Sequence, residues 1–221
     1  MSFVISTYST VLHELSERQI FRYMGMACVH DDELSEHIRS VLPEFLNILS
    51  CKACYGVVPI TINGNTVDLD VISVESGHLA RNLRGCDRAI VFAATLGMET
   101  EQQKRRASVV SPTKALILDA MGSAAIERFC DLFCEEIQKM YPTQKLRPRF
   151  SPGYGDFSLE AQKQLLRVLD AQRKIGVSIA ASFLMLPQKS VTAVVGLAKD
   201  GCIYPVPSCD DCSREGCEFR L

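Results

Sequence analysis

The stretch from Thr113 to Met140 constrains the fold of this chain more than any other. Ser111-Pro112 opens it as a helix-starting pair, no proline interrupts it, and Pro142 stops it. Along it Ala115, Leu118, Ala125, Phe129, Leu132, Phe133 and Ile137 recur at helical spacing and leave one apolar stripe. A long helix with one apolar side must lie on a broad apolar surface, and the remaining sequence has to supply it.

The candidates for that surface are short β-rich runs. Val57 to Ile62 and Thr66 to Ile72 are joined by Asn63-Gly64-Asn65, where Asn and Gly tolerate positive φ, so the pair reads as a hairpin. Asp87 to Leu96 reads as a buried strand ending at Gly97, and Ile175 to Ile179 as another. Ser190 to Leu197 is a further strand, with Ile203 to Val206 its expected partner across the turn Lys199-Asp200-Gly201. Around these runs lie shorter helical patterns. Leu12, Leu15, Ile20, Tyr23 and Met24 suggest one amphipathic helix, and Asp31 to Leu49 a second, capped by Asp31 or Asp32 and broken or bent at Pro43. Ser76 to Leu83, the polar Glu99 to Arg106, and Leu159 to Leu169 behind a Ser158 cap complete the set. The expected fold class is α+β, helices packed on a mostly antiparallel sheet. No linker rich in Pro, Gly or Ser divides the chain, so residues 1–206 read as a single domain and residues 207–221 as a cysteine-rich tail.

Composition excludes several function classes. With 24 Lys plus Arg against 26 Asp plus Glu, the net charge of −2 argues against a nucleic-acid binder or an anionic membrane partner. The longest apolar run, Ala89 to Met98, falls far short of the roughly 20 residues that span a bilayer. His13, Glu14 and Glu17 stand where a signal peptide is apolar, so a cytoplasmic location is expected. Without an export signal the 10 cysteines are expected as reduced thiols or metal ligands. No G-x-S-x-G, H-E-x-x-H, P-loop or Rossmann glycine signature is present, so hydrolase and nucleotide-phosphate readings lack support.

Two segments carry candidate chemistry. In the loop Arg147 to Asp156 two guanidinium groups flank a backbone opened by Gly153 and Gly155. The glycines admit a ligand close to the main chain, and Arg149 can grip a carboxylate through a forked hydrogen-bond pair. The plainer reading is a rigid surface loop ending the long helix. The second segment is the tail, where Cys209, Cys212 and Cys217 form a C-x2-C-x4-C pattern that can converge on one metal ion or iron-sulfur cluster. Cys202, seven residues upstream, is the candidate fourth ligand, and a tail with incidental thiols is the plainer reading. The sequence does not distinguish zinc from a cluster. Cys51 and Cys54 form a second C-x-x-C, read as two small core residues in preference to a redox pair. Cys130 and Cys134 read as core, and His13, His30, His37 and His78 as surface or capping residues without a metal pattern.

At the loop the chain resembles the activation (reactivation) domain of cobalamin-dependent methionine synthase, most closely its stand-alone versions. That domain binds S-adenosylmethionine through an Arg-Pro-x-Pro-Gly-Tyr loop. Arg149, Ser151, Pro152, Gly153 and Tyr154 fall on the pattern, with Phe150 in place of the first proline. Gly155-Asp156-Phe157 replaces the cysteine-containing segment that follows the tyrosine in the large enzyme. Ile175-Gly176-Val177 and the run from Met185 to Val191 extend the similarity, which covers roughly residues 110–206 by motif. The family's acidic N-terminal motif has no counterpart here.

The resemblance implies an activation-domain fold and a binder of S-adenosylmethionine that supports reductive methylation of the cobalamin of a partner methionine synthase. It implies that Arg149 pairs with the ligand carboxylate and that Glu127 on the long helix faces its cationic part. Ser151 and Gly153 would hold the adenosine edge through backbone groups, and Tyr154 and Tyr204 would offer an aromatic face and a hydroxyl. Such a protein needs no catalytic nucleophile of its own, since cobalt(I) attacks the methyl, and it is not expected to act alone. Its partners would be the methionine synthase or its corrinoid domain and an electron donor. A member of another class, a non-enzymatic metal-binding or redox adaptor using the tail cysteines, is the alternative.

Overall fold

The computed structural model describes residues 3–26 and 31–199, and Cys28, Tyr204, the expected strand Ile203 to Val206 and all four candidate metal ligands lie outside those residues. In chain order the elements are β1 (Ser6–Ser9), α1 (Glu17–Tyr23), α2 (Asp32–Asn47), β2 (Lys52–Pro59), β3 (Thr61–Asn63), β4 (Thr66–Asp68), β5 (Ser73–Glu75) and α3 (Gly77–Asn82). They continue as β6 (Cys86–Thr95), α4 (Glu99–Val110), α5 (Pro112–Met140), β7 (Gln144–Leu146), α6 (Ala161–Val168), α7 (Ala171–Ile175), β8 (Ser178–Ile179), β9 (Met185–Leu186) and β10 (Ser190–Lys199). No helix among the described residues is long and apolar enough to cross a membrane.

The expected α+β class is borne out. Five strands form one antiparallel sheet in the order β1-β2-β6-β10-β7. The apolar stripe of α5 lies on one face, where Phe129, Phe133 and Ile137 join Ile90, Phe92 and Val195 of the sheet. An aromatic knot fixes the contact: the Phe133 ring sits 4.9 Å from Phe92, 5.2 Å from Tyr55 and 5.7 Å from Tyr8 between centroids. Such pairs add specific geometry to the burial of large apolar area. Ile20 and Phe21 of α1, Ile38 and Phe45 of α2 and Ala107 of α4 extend the same layer. On the opposite face a second core gathers Val67 of β4, Leu79 of α3, Leu165 of α6 and Ala171 of α7 over Val91 and Val194. The three-stranded β3-β4-β5 sheet and the β8-β9 pair complete that side.

Several expectations need correction. The first helix begins only at Glu17; Leu12 is buried but lies in the non-helical segment before it. Asp31 caps α2, accepting from the Leu34 amide at 3.0 Å, yet the helix runs through Pro43. Pro43 is exposed, so the carbonyl deprived of its intrahelical donor meets water. The hairpin is real but shorter, Thr61–Asn63 with Thr66–Asp68 closing on Gly64 at φ +62, while Val57 belongs to β2 of the large sheet. Ile175 ends a helix, because Gly176 adopts a left-handed C-cap at φ 76, and only Ser178–Ile179 is strand. Ser158 accepts from Glu160 at 3.3 Å without capping α6, which begins at Ala161. The loop after the long helix contains β7, which pairs with β10 and takes the edge expected for a later strand.

Candidate functional site

Beyond β7 the chain follows the edge of β10 for a few residues and then leaves it. The Arg147 amide donates to the Gly196 carbonyl at 2.8 Å, and Phe150 and Val194 exchange two backbone hydrogen bonds of 2.9 Å. From Ser151 the loop turns outward, and a cleft of about 610 Å³ opens between it, α5 and the start of β10. That volume lies in the range of small-molecule sites.

The α5 wall is charged. Glu127 and Asp131, one helical turn apart, both reach Arg149 of the loop: Nη2 donates to Glu127 Oε2 at 2.8 Å and Nη1 to Asp131 Oδ1 at 2.6 Å. Burial opposes the Arg149 charge, but the Asp131 hydrogen bond and the two carboxylates outweigh it and raise its pKa further. Glu127, still partly exposed, thus faces the loop arginine. Cys134 lines the same wall, its thiol pKa raised by burial against the lowering effect of Arg149.

The loop wall is built by turn geometry. Ser151 and Tyr154 line the cleft; Gly153 does not. The Gly153 amide donates to the Phe157 carbonyl at 2.8 Å, and the Phe157 amide returns to Tyr154 at 3.0 Å. Gly153 at φ +93 and Gly155 at φ +55 take backbone conformations that other residues resist, and a Cβ at Gly155 would run into the His78 ring. Both glycines thus serve the loop's own fold. Tyr154 is 66% exposed, and its ring lies 6.5 Å from Phe150. Buried Phe157 anchors the loop from below.

Sequence reasoning missed several residues here. Asp131, the second partner of Arg149, carried no motif. Asp156 accepts from Ser76 Oγ at 2.5 Å, Gly77 N at 2.8 Å and His78 N at 3.1 Å, tying the loop to the start of α3. The Ser76 hydrogen bond, followed by the two backbone amides, pulls its pKa down to about 2 despite some desolvation. Thr192 and Gln162, both buried, line the floor and the far wall. Only a strand-face or helix-face argument with the topology in hand could have found them.

The other cysteine expectations divide. Cys51 belongs to the core under α5 and Cys54 to the core on the opposite face, so the two thiols of the C-x-x-C pair are separated by the sheet. Burial pushes both pKa values up to about 12, and neither suits redox chemistry. Cys130 is fully buried core, as expected; Cys134 is half-buried, packs against the same core and also borders the cleft. Among the described residues no group of three His, Cys, Asp or Glu is arranged to hold a metal ion.

Fold and cleft together define a class: an α+β domain whose curled antiparallel sheet carries a long helix on one face and a polar ligand-sized cleft at the edge of its last described strand. The chain is similar over its length to a solved structure of that class, the MetH reactivation domain bound to AdoHcy. The TM-score is 0.70 at 15% identity, covering 94% of this chain and 83% of that one. The likeness is one of fold, and the chain has the methionine synthase reactivation-domain fold. No protein-family description and no curated protein matches the sequence.

Proposed function

We propose that this protein binds S-adenosylmethionine in the cleft and supports reductive methylation of the cobalamin of a partner methionine synthase. The observation that supports this most is the pairing of Arg149 with Glu127 beside the Ser151–Tyr154 loop, in a domain whose structural neighbour was solved with AdoHcy. S-adenosylmethionine is a zwitterion with an added sulfonium charge, so a site for it needs a fixed cation and at least one anion. Arg149 takes the ligand carboxylate. Glu127 and Asp131, which it now holds, are then left to the ligand's ammonium and sulfonium. That exchange leaves each charge with an opposite partner, avoiding the cost of a buried unpaired charge.

Tyr154, exposed at the mouth, lies on the face from which the methyl is taken. The partner's reduced corrinoid supplies the nucleophile, and this chain contributes position and exclusion of water. Ser151 and Gly153 offer backbone groups to the adenosine edge, and Gly153 also gives the loop its shape. Tyr204 belongs to the proposal on the sequence alone, as do the electron donor and a cytoplasmic location. So does a metal or iron-sulfur centre at Cys209, Cys212, Cys217 and Cys202, whose role would be electron entry. The test is methylcobalamin formation on oxidised partner from methyl-labelled S-adenosylmethionine with a reductant, omitting each component in turn. Transfer is expected only in the full mixture; equal transfer without this protein would remove the activation role.

A further inference from the structure

We infer that the acidic cysteine run of this chain, Cys209 to Glu218, docks intramolecularly into a second cleft, beside Arg81 and Arg84 at the α3 corner. The inference goes beyond the ligand proposal and stands without it.

The end of β10 restricts where the chain goes next. Ala198 is paired on both sides, with Cys86 of β6 and Lys145 of β7, and Lys199 is paired with Gln144. A return along β10 is therefore closed to residues 200–221, so they leave the sheet toward one face or the other. On the α5 face the cations in the C-terminal half of the helix, Arg128 and Lys139, are already paired with Glu135 and Glu136.

The opposite face differs. At the same end of the sheet lies a cleft of about 750 Å³, lined by Arg81, Arg84 and Cys86 together with Ile60 and Ile62. Both arginines are exposed, and among the described residues neither has a carboxylate partner; Arg81 Nε reaches the Gly77 carbonyl at 3.3 Å. The carboxylate that lines the cleft, Asp156, is committed to Ser76 and to the amides of Gly77 and His78. Two cations beside one committed anion leave a positive excess that an acidic segment would neutralise.

The sequence supplies that segment. Cys209 to Glu218 carries four Asp and Glu against one Arg, interleaved with three cysteines, whose small side chains suit the half-buried Ile60 and Ile62. Reach is ample. Ten residues separate Lys199 from Cys209, up to about 33 Å of extended chain, while Cys86 at the cleft lies one strand spacing of about 5 Å from Ala198. Tethering gives the segment an effective concentration on the order of millimolar, so modest ion pairs suffice to hold it. Docked there, Cys209, Cys212 and Cys217 lie against the loop of Tyr154, since Asp156 lines this cleft and Tyr154 the other.

The experiment is hydrogen–deuterium exchange of the full chain, comparing wild type, Arg81→Glu with Arg84→Glu, Asp210→Lys with Asp211→Lys, and all four changes together. Residues 208–218 should be protected in wild type and exchange about tenfold faster in either reversed pair, the effect of two modest ion pairs. With all four changes the rate should return close to that of wild type. Because the tail pair leaves α3 untouched, a local effect of the arginine changes on that helix cannot mimic this pattern, and uptake in α5 and β6 should be alike in all four proteins. Tail amides that exchange at the unprotected rate in wild type, protection that survives reversal of the arginines, or a combined variant no better protected than its parents overturns the docking. Protection lost on tenfold dilution would assign the segment to a second copy of the chain and overturn the intramolecular contact as well.

Discussion

The two faces of the large sheet are covered in opposite ways. One carries α5, a 29-residue helix whose stripe contributes Phe129, Phe133 and Ile137 to one continuous core. The other is a patchwork of the small β3-β4-β5 sheet and the short helices α3, α6 and α7, with Phe157 inserted from a loop. The helical face is where periodicity extends far enough to specify a structure unaided. The patchwork face depends on contacts between segments distant in sequence, such as Asp156 with Ser76. The cleft lies where the two coverings part at the β10 edge, so it draws rigid charge from one and a shaped loop from the other.

The difference can be broken at its strongest point first. Phe133→Ala should cost about 3–5 kcal/mol of global stability in denaturant unfolding, because the aromatic knot under α5 has no small element that can collapse into the void. A loss well below that would mean the helical face repacks as readily as the patchwork. Arg149→Ala acts at the junction and should weaken S-adenosylmethionine by about 2–5 kcal/mol in titration calorimetry, since it leaves carboxylates of α5 without their partner. Unchanged affinity would take Arg149 out of the site. Ser111→Ala should cost about 1 kcal/mol, the worth of an N-cap, because Ser111 Oγ accepts from Lys114 N at 3.2 Å where α5 begins.

The smallest expected effect belongs to the patchwork and is seen in pH. The Asp156 carboxyl titrates near 2 in the folded protein, below the ordinary value of about 3.9. A depressed folded-state pKa contributes stability above the unfolded value and loses it as protons are taken up. Unfolding followed from pH 5 down to 2 should therefore show a component lost between about 4 and 2 that Asp156→Asn removes. A profile identical in the two proteins would mean the loop tie carries no stability.

Legibility in the sequence followed the same division. The span of α5, its Ser111 cap, the short α3 and the two central strands could be read because period, cap and breaker residues agree within each segment. Arg149 and Tyr154 could be found because a Pro-Gly loop beside arginines is a local signal. Pro43 misled because its effect depends on which side of α2 faces water, and Ile175 because a five-residue helix has too little period to show. Asp131 and Thr192 carry no local mark; what makes them part of the cleft is the register of β10 against its neighbours and the direction of one helix face. The reach of Cys51, just before β2, and Cys54, within it, into opposite cores likewise follows the alternation of the extended chain, which sends residues three apart to opposite faces.

Asp156 has a consequence beyond stability. Its carboxylate joins the loop that ends the cleft to the first amides of α3, and Ser76, at that same point, donates its own amide to Asn65 in the β3-β4 turn. Anything that stiffens Tyr154 is thereby geared, two residues on, to a hairpin about 90 positions earlier in the chain. Occupancy of the cleft should accordingly be readable at a distance, as slower deuterium uptake by the backbone of Gly77 and His78, where no ligand atom arrives.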